Sequence, residues 1–352
     1  MAEKIELVRI CKEYRQGHSV IKNLNLTIKP GSFTVLLGPS GCGKSTILRM
    51  IAGLERETEG DIMLGGVCMK DVAPGERNIA MVFQNYALYP TMTVKENMEF
   101  GLRNMKVPKQ EREARILEVA KIVGLSEYLA RKPSTLSGGQ RQRVALARAM
   151  VKKPNVFLMD EPLSNLDAKL RGQLRAELIA LHHRLKATFV YVTHDQVEAM
   201  SMGTDIVLLK EGEIVQQAGP MDIYHAPAGV FAAQFIGSPS MNVIHCEGGA
   251  ALGYEVPVGA AYIGFRPEHA ELTDGGMPPA ASLTIAGELT AREMLGAEQL
   301  CTVSTGFGKL YVKLYEQKPA SYGPVCLCVK EKNLHFFDKE QNAMAPTLKV
   351  VE

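Results

Sequence analysis

Nine residues constrain this chain more than any others. They are Gly38-Pro39-Ser40-Gly41-Cys42-Gly43-Lys44-Ser45-Thr46, and they contain a Gly-x-x-x-x-Gly-Lys-Ser/Thr run. The neighbours supply the context such a run needs. Phe33–Leu37 reads as a short buried strand, and residues 47–52 as the helix that follows. A strand feeding glycines into a helix N-terminus aims several backbone N–H groups at one point, where the helix dipole also favours negative charge. In a loop of this kind Lys44 reaches the β- and γ-phosphates of a nucleotide, and the Ser45 hydroxyl takes Mg²⁺. The expected architecture is therefore α/β, with a nucleotide's phosphates at the rim of the sheet.

Length and composition narrow the setting. At one domain per ~150 residues, 352 residues suggest two domains. A net charge of +2 is too close to neutral for a nucleic-acid field or a polybasic membrane anchor, so no nucleic-acid partner is expected. The seven cysteines are odd in number and scattered, with no paired Cys-x-x-Cys spacing. Neither a zinc site nor a disulfide framework is indicated, and a reducing compartment is the simple reading. The N-terminus carries charges where a signal peptide needs an apolar core, and no apolar run approaches the ~20 residues of a membrane helix. If the protein works at a membrane, another chain must bring it there.

Along the chain, residues 4–36 alternate as an antiparallel β element should, with a polar turn at residues 12–17 that carries Tyr14. An exposed ring there could stack on an adenine face or be an ordinary surface tyrosine. Residues 59–66 read as a hairpin, and residues 78–84 as a buried strand ending on Gln84, a polar group suited to Mg²⁺ and water. Residues 90–155 are mainly a helical insertion. Ser137-Gly138-Gly139-Gln140 then opens a helix, either as a second anion site or as a simple capped turn. The apolar residues 156–159 form a strand that ends on Asp160 and Glu161. Asp160 is placed to hold Mg²⁺ through water, and Glu161 to orient or deprotonate a water. Residues 164–167, ending on Asp167, cap the next helix, and the strand Thr188–Thr193 ends on His194, which could meet a γ-phosphate or be an ordinary structural histidine. Beyond a boundary placed at Gly237, short alternating runs read as a small β-barrel. Cys42, at a helix N-terminus, is expected either to be an activated thiol shielded by MgATP or to be a small residue that merely fits.

The phosphate loop, Gln84, residues 136–140, Asp160-Glu161, residues 165–167 and His194 occur in the order found in ATP-binding cassette (ABC) ATPases. Residues 1 to about 235 resemble that family throughout. The runs Gln84-Asn85-Tyr86-Ala87-Leu88-Tyr89-Pro90 and Gly264-Phe265-Arg266-Pro267-Glu268-His269 resemble the ATPase subunits of carbohydrate importers, of the maltose and glycerol-3-phosphate type. The resemblance implies ATP and Mg²⁺ as cofactors and hydrolysis as the activity. It implies an ABC cassette over residues 1–237, with antiparallel β and helical subdomains, and a C-terminal all-β (OB-like) regulatory domain over 238–352.

Residue by residue, the resemblance makes Tyr14 the adenine-stacking aromatic and Gly38 to Thr46 the phosphate cradle. Ser45 and Gln84 hold Mg²⁺ with Asp160, Glu161 is the general base, and His194 is the switch histidine. Ser137, Gly138, Gly139, Gln140 and Asp167 complete the nucleotide site of the opposite subunit. It follows that two chains sandwich two ATP molecules head to tail as a homodimer. The resemblance further implies two transmembrane permease subunits, an extracytoplasmic solute-binding protein acting through them, and a peripheral place on the cytoplasmic face of the inner membrane. A soluble ABC ATPase of DNA repair or translation would call for a long coiled-coil insertion or two cassettes in one chain. A subunit shared among several sugar permeases is a further alternative.

Overall fold

The computed structural model describes residues 2–15, 17–246, 254–273, 282–315 and 322–344. Two long strands open it, β1 (Ile5–Arg15) and β2 (His18–Ile28), followed by β3 (Phe33–Leu37) and α1 (Lys44–Ala52). Next come β4 (Glu59–Leu64), β5 (Val67–Cys68) and β6 (Ile79–Val82). Helices α2 (Val94–Asn104), α3 (Lys109–Ile122) and α4 (Gly138–Met150) make up the helical insertion. The sequence β7 (Val156–Asp160), α5 (Ala168–Leu185), β8 (Thr188–Thr193), α6 (Gln196–Met202), β9 (Asp205–Lys210) and β10 (Glu213–Ala218) completes the first part. No helix among the described residues is long and apolar enough to cross a membrane.

Two sheets organise this part. One is antiparallel, in the order β2-β1-β4-β5. The other runs β10-β9-β3-β8-β7-β6, with every neighbouring pair parallel except β9–β10. Every residue of β3, β7 and β8 is buried, the pattern of parallel strands covered on both faces. Apolar side chains of α1 (Ile47, Leu48, Met50, Ile51) share one core with Ile5, Leu26 and Ile62 of the antiparallel sheet and with Leu36, Leu158 and Val190 of the parallel one. The helix behind the phosphate loop is thus held from both sides. Its C-terminus is closed by Gly53, left-handed at φ 75°, and by Arg77, whose guanidinium donates to the Met50 and Ile51 carbonyls at 2.9 and 3.0 Å.

β1 runs on through Arg15, so Tyr14 sits in a strand and not in the polar turn that the sequence suggests. Local composition favours a turn at residues 12–17, but the backbone ladder to β2, which reaches Arg15↔His18, overrides it. In the insertion, Thr93 and Glu96 form a capping box at the start of α2. The fully buried Asn97 donates to the carbonyls of Tyr89, Met92 and Thr93 and accepts from the Tyr89 N–H. One satisfied amide therefore fixes the path of the chain from the end of the Gln84–Pro90 run into α2.

Compact units are Met1–Met221 and Asp222–Glu352. The second unit takes up most of α7 (Pro220–His225) and all of α8 (Val230–Phe235). The reason lies in Arg266, almost completely buried, whose guanidinium donates to the carbonyls of Tyr224, Ala233 and Ile236. These contacts give the Gly264–His269 run a structural task, and the Tyr224 hydroxyl donates to Glu268 beside it. The all-β part comprises β11 (Asn242–His245), β12 (Tyr262–Phe265), β13 (Ala270–Thr273), β14 (Ser282–Met294), β15 (Gln299–Thr305), β16 (Gly308–Leu314), β17 (Gly323–Lys330) and β18 (His335–Phe337). Its ladders form two sheets, β11-β12-β18 and β13-β17-β14-β15-β16, and no ladder among the described residues joins them into a closed barrel. Ile263 and Phe265 of one sheet and Leu283, Val303 and Leu327 of the other meet in a single core.

Candidate nucleotide site

Parallel register brings four strand ends together. Leu37 lies opposite Thr193, Val192 opposite Asp160, and Met159 opposite Val82. The residues just beyond these positions are the phosphate loop, His194, Glu161 and Gln84, so one rim of the sheet gathers most of the residues singled out from sequence.

Gly38, Gly41 and Gly43 have φ of 152°, 82° and 102°, angles open to glycine. Space makes the same demand at two of them, since an added Cβ would collide with the Leu209 carbonyl at Gly38 and with Ile21 at Gly43. Lys44 is buried inside the loop, its ammonium donating to the carbonyls of Gly38 and Pro39 at 2.8 and 2.7 Å. Among the described residues no carboxylate pairs with it. A positive charge held only by neutral dipoles, beside a helix N-terminus, is a seat for an anion. The Ser45 hydroxyl donates to Asp160 at 2.6 Å, and Arg49 lies 3.8 Å from the other oxygen of that carboxylate. A hydroxyl and a carboxylate are the hard oxygen donors that Mg²⁺ takes, so this donor set fits that ion.

Glu161 and His194 are adjacent as well. His194 Nδ1 lies 3.3 Å from Glu161 Oε2, with the histidine side chain 57% exposed and the glutamate 22%. Glu161 has a left-handed backbone at φ 43°. Its N–H donates to the Val192 carbonyl at 3.1 Å, and its own carbonyl accepts the Ser164 hydroxyl at 2.9 Å. Backbone strain of about 1–3 kcal/mol persists only when the surroundings over-determine it, as these two hydrogen bonds do. Gln84 turns its amide to the Ser164 hydroxyl at 3.2 Å, while its carbonyl oxygen on the main chain accepts from Asn165 at 3.1 Å. Its side chain therefore meets the loop after Glu161 and not the Ser45–Asp160 pair.

Tyr14 is 53% exposed, with its hydroxyl 3.3 Å from Thr46 and the Lys12 ammonium 4.9 Å from its ring centroid. The aromatic thus stands beside the start of α1. Cys42 is only 4% exposed and belongs to the core of this unit, which favours the small residue that fits over the activated thiol. Thiol reactivity follows access, so alkylation of the native protein is expected to label the exposed Cys68 at least about tenfold faster than Cys42. Peptide mass spectrometry over a time course reads this directly, and equal rates would overturn it.

Ser137 and Asp167 cap helices. The Ser137 hydroxyl accepts the Gln140 N–H while the Gln140 side chain accepts the Ser137 N–H, and Asp167 accepts the Leu170 N–H at 2.9 Å. Gly139 packs closely, since a Cβ there would sit 3.0 Å from the tip of the Leu170 side chain, which would have to shift. Among the described residues no hydrogen bond or ion pair joins Ser137–Gln140 to the phosphate loop. The structure gathers the glycine loop, Ser45, Asp160, Glu161 and His194 at one rim of the sheet and leaves this turn apart.

Three further residues support neighbouring turns without having been marked in the sequence. Arg148 donates to the carbonyls of Tyr86 and Ala87, both left-handed, and so shapes the Gln84–Pro90 loop. Tyr191 and Glu198 lie beneath the His194 turn, and burial pushes the Glu198 carboxyl above the usual carboxylate range despite two hydroxyl donors. A paired hydroxyl-bearing strand end and a following acidic helix turn are the signals that could have found Glu198.

A glycine loop with a buried lysine, an acid at the end of the next strand but one and a second acid facing a histidine define a phosphate-loop nucleotide hydrolase. The comparisons with known proteins make the class specific. Residues 21–164 match the family described as ABC transporter. The chain is 49% identical, over 87% of its length and 88% of the relative's, to the sn-glycerol-3-phosphate import ATP-binding protein UgpC of Brucella abortus. It is 45% identical to the protein of the same name from Escherichia coli, over 96% of this chain and 98% of that one. A solved ATP-binding cassette, a dimer in a post-hydrolysis state with ADP and phosphate, superposes with a TM-score of 0.56 at 36% identity, covering 61% of this chain and 98% of that one. The chain belongs to the ABC transporter family, as one of its ATP-binding, ATP-hydrolysing subunits.

Proposed function

We propose that this chain powers uptake of sn-glycerol-3-phosphate, or of a related sugar or oligosaccharide, through a separate permease. The observation that carries the solute class is the identity to glycerol-3-phosphate import subunits over nearly the whole chain. Residues 1–237 act as the nucleotide-binding domain and 238–352 as the regulatory domain. In the site, Gly38 to Thr46 cradle the phosphates, Lys44 meets the β- and γ-groups, and Tyr14 stacks on adenine. Ser45 and Gln84 would hold Mg²⁺ with Asp160 beside them, and the bound ion neutralises charge on the phosphates. Glu161 takes the proton from the attacking water and His194 contacts the γ-phosphate.

Ser137 to Gln140 and Asp167 serve the site of a second copy, so two chains close on two ATP molecules. ATP bridging both halves gives the closed dimer the higher affinity, and hydrolysis removes the bridge. A groove of about 610 Å³ beside the Gln84–Pro90 loop, lined by Leu54, Phe83, Tyr89, Phe100, Met105 and Arg148 among others, supports docking of permease helices. Leu54, Tyr89 and Met105 are exposed apolar residues there. Through that contact the protein sits on the cytoplasmic face of the inner membrane, and the permease in turn receives solute from an extracytoplasmic binding protein.

The test is uptake in Escherichia coli cells that lack their own UgpC. This chain is expected to restore accumulation of labelled glycerol-3-phosphate, and the Lys44→Ala variant to leave it at background. Restored maltose uptake in cells lacking the maltose subunit would reveal a shared ATPase. Failure with both solutes rejects the solute class.

A further inference from the structure

We propose that Glu198 is a positioning residue for His194, acting through Thr193 to set the rate of the chemical step without touching the nucleotide. The inference rests on the reading of His194 as a γ-phosphate contact. Its starting point is an acid in an unusual place. Glu198 lies in the first turn of α6, where acids are common because they complement the helix dipole, but such acids normally face water. This one is 4% exposed. Its Oε2 accepts two hydroxyls, from Tyr191 at 2.9 Å and from Thr193 at 2.7 Å.

Thr193 does a second thing: its hydroxyl oxygen accepts the Asp195 N–H at 3.0 Å. Asp195 in turn caps α6, accepting the N–H groups of Val197 and Glu198 at 2.7 and 3.3 Å, and faces Arg171 at 3.5 Å. His194 lies between Thr193 and Asp195. Both of its flanks are tied to one buried carboxyl or to the helix start, while its own side chain is more than half exposed and meets one polar partner among the described residues, Glu161. The ring's place beside Glu161 is therefore set by its backbone, which the β3–β8 ladder holds on one side and Glu198 steadies through the Thr193 hydroxyl. An apolar residue would fill the same space without the desolvation of an acid, so a packing role alone does not call for a carboxyl. A misplacement of about 1 Å at a reacting centre is enough to cost up to a hundredfold in rate.

Steady-state ATP hydrolysis by the full chain, with single-turnover phosphate release for slow variants, tests this. Glu198→Ala and Thr193→Val are expected to lower kcat about tenfold with KM for ATP unchanged. Glu198→Gln keeps an oxygen acceptor for the two hydroxyls and is expected to restore most of the loss. The decisive comparison is made in a His194→Ala background, where Glu198→Ala should cost nothing further, because its effect passes through the missing ring. An unchanged kcat per folded molecule, or a loss that multiplies with that of His194→Ala, overturns the proposal and leaves Glu198 a packing residue. Should Glu198→Ala fail to fold, Thr193→Val carries the same comparison. If His194→Ala alone leaves kcat intact, the role of the histidine falls, and the positioning role falls with it.

Discussion

Glu161→Gln is expected to bind MgATP normally and to hydrolyse it about a hundredfold to ten-thousandfold more slowly, the range for removal of a positioned general base. The substitution is close to isosteric, and the backbone that presents it does not depend on the carboxyl. The left-handed turn at φ 43° is held by the Val192 carbonyl and by the Ser164 hydroxyl, both bonded to main-chain atoms of residue 161. His194 loses a carboxylate partner at 3.3 Å but keeps an amide oxygen in reach. Folding and ATP affinity should therefore survive while proton transfer does not. With hydrolysis stalled, ATP remains as the bridge between two chains. Size-exclusion chromatography with bound-nucleotide analysis should then show a dimer with two uncleaved ATP molecules in the presence of MgATP, and a monomer without it. Normal turnover would remove Glu161 from the role of base. Slow turnover in a protein that stays monomeric with ATP would keep the base and discard ATP-driven closure by this chain alone.

Much of this site was legible in the sequence because its parts are local. A glycine run between a strand and a helix, an apolar strand ending on two acids, and a β-branched strand ending on His194 each carry their meaning within about ten residues. The contacts between them were less legible. That Ser45 meets Asp160 follows from strand order, which places β3, β8 and β7 side by side although they are far apart in the chain. Gln84 was found, but its partner Ser164 was not, because the two meet across a loop whose path depends on the left-handed turn at Glu161. Glu198 and Asn97 were missed for another reason. Both look like ordinary early-helix polar residues, and only burial reveals their tasks. That Arg266 claims the carbonyls of the short helices at 220–235 was not legible either, because it lies thirty or more positions downstream of them. The polar run at residues 12–17 read as a turn since propensity knows nothing of a partner strand.

The second large effect comes from a residue that no hydrogen bond or ion pair among the described residues ties to the phosphate loop. Ser137→Asp is expected to keep the fold and the ATP affinity of the single chain while lowering turnover about a hundredfold or more, the scale of losing a preorganised donor to a charged phosphate. Aspartate caps a helix as well as serine does, and a negative charge at a helix start is favourable, so α4 loses nothing. What changes is the charge presented to a γ-phosphate arriving on another chain, now repelled where N–H groups attracted it. Lys44→Ala does the converse, removing the ammonium from the loop and weakening ATP binding by about ten- to a hundredfold, as expected for a charged hydrogen bond of roughly 1.5–3 kcal/mol. Each variant alone should fail to occlude ATP. Mixed together they should regain it. A mixed dimer pairs the sound phosphate loop of the Ser137→Asp chain with the sound helix start of the Lys44→Ala chain, giving one intact composite site, while its other site combines both defects. Retention of labelled ATP after rapid gel filtration, with Glu161→Gln added to both chains to prevent hydrolysis, reads the outcome. Recovery in the mixture and in neither parent can arise only if the two halves of a site come from different chains. No recovery, with each variant shown to fold and Ser137→Asp shown to bind ATP, would place the Ser137 turn outside the nucleotide site altogether and return it to the simple helix cap that its hydrogen bonds already make it.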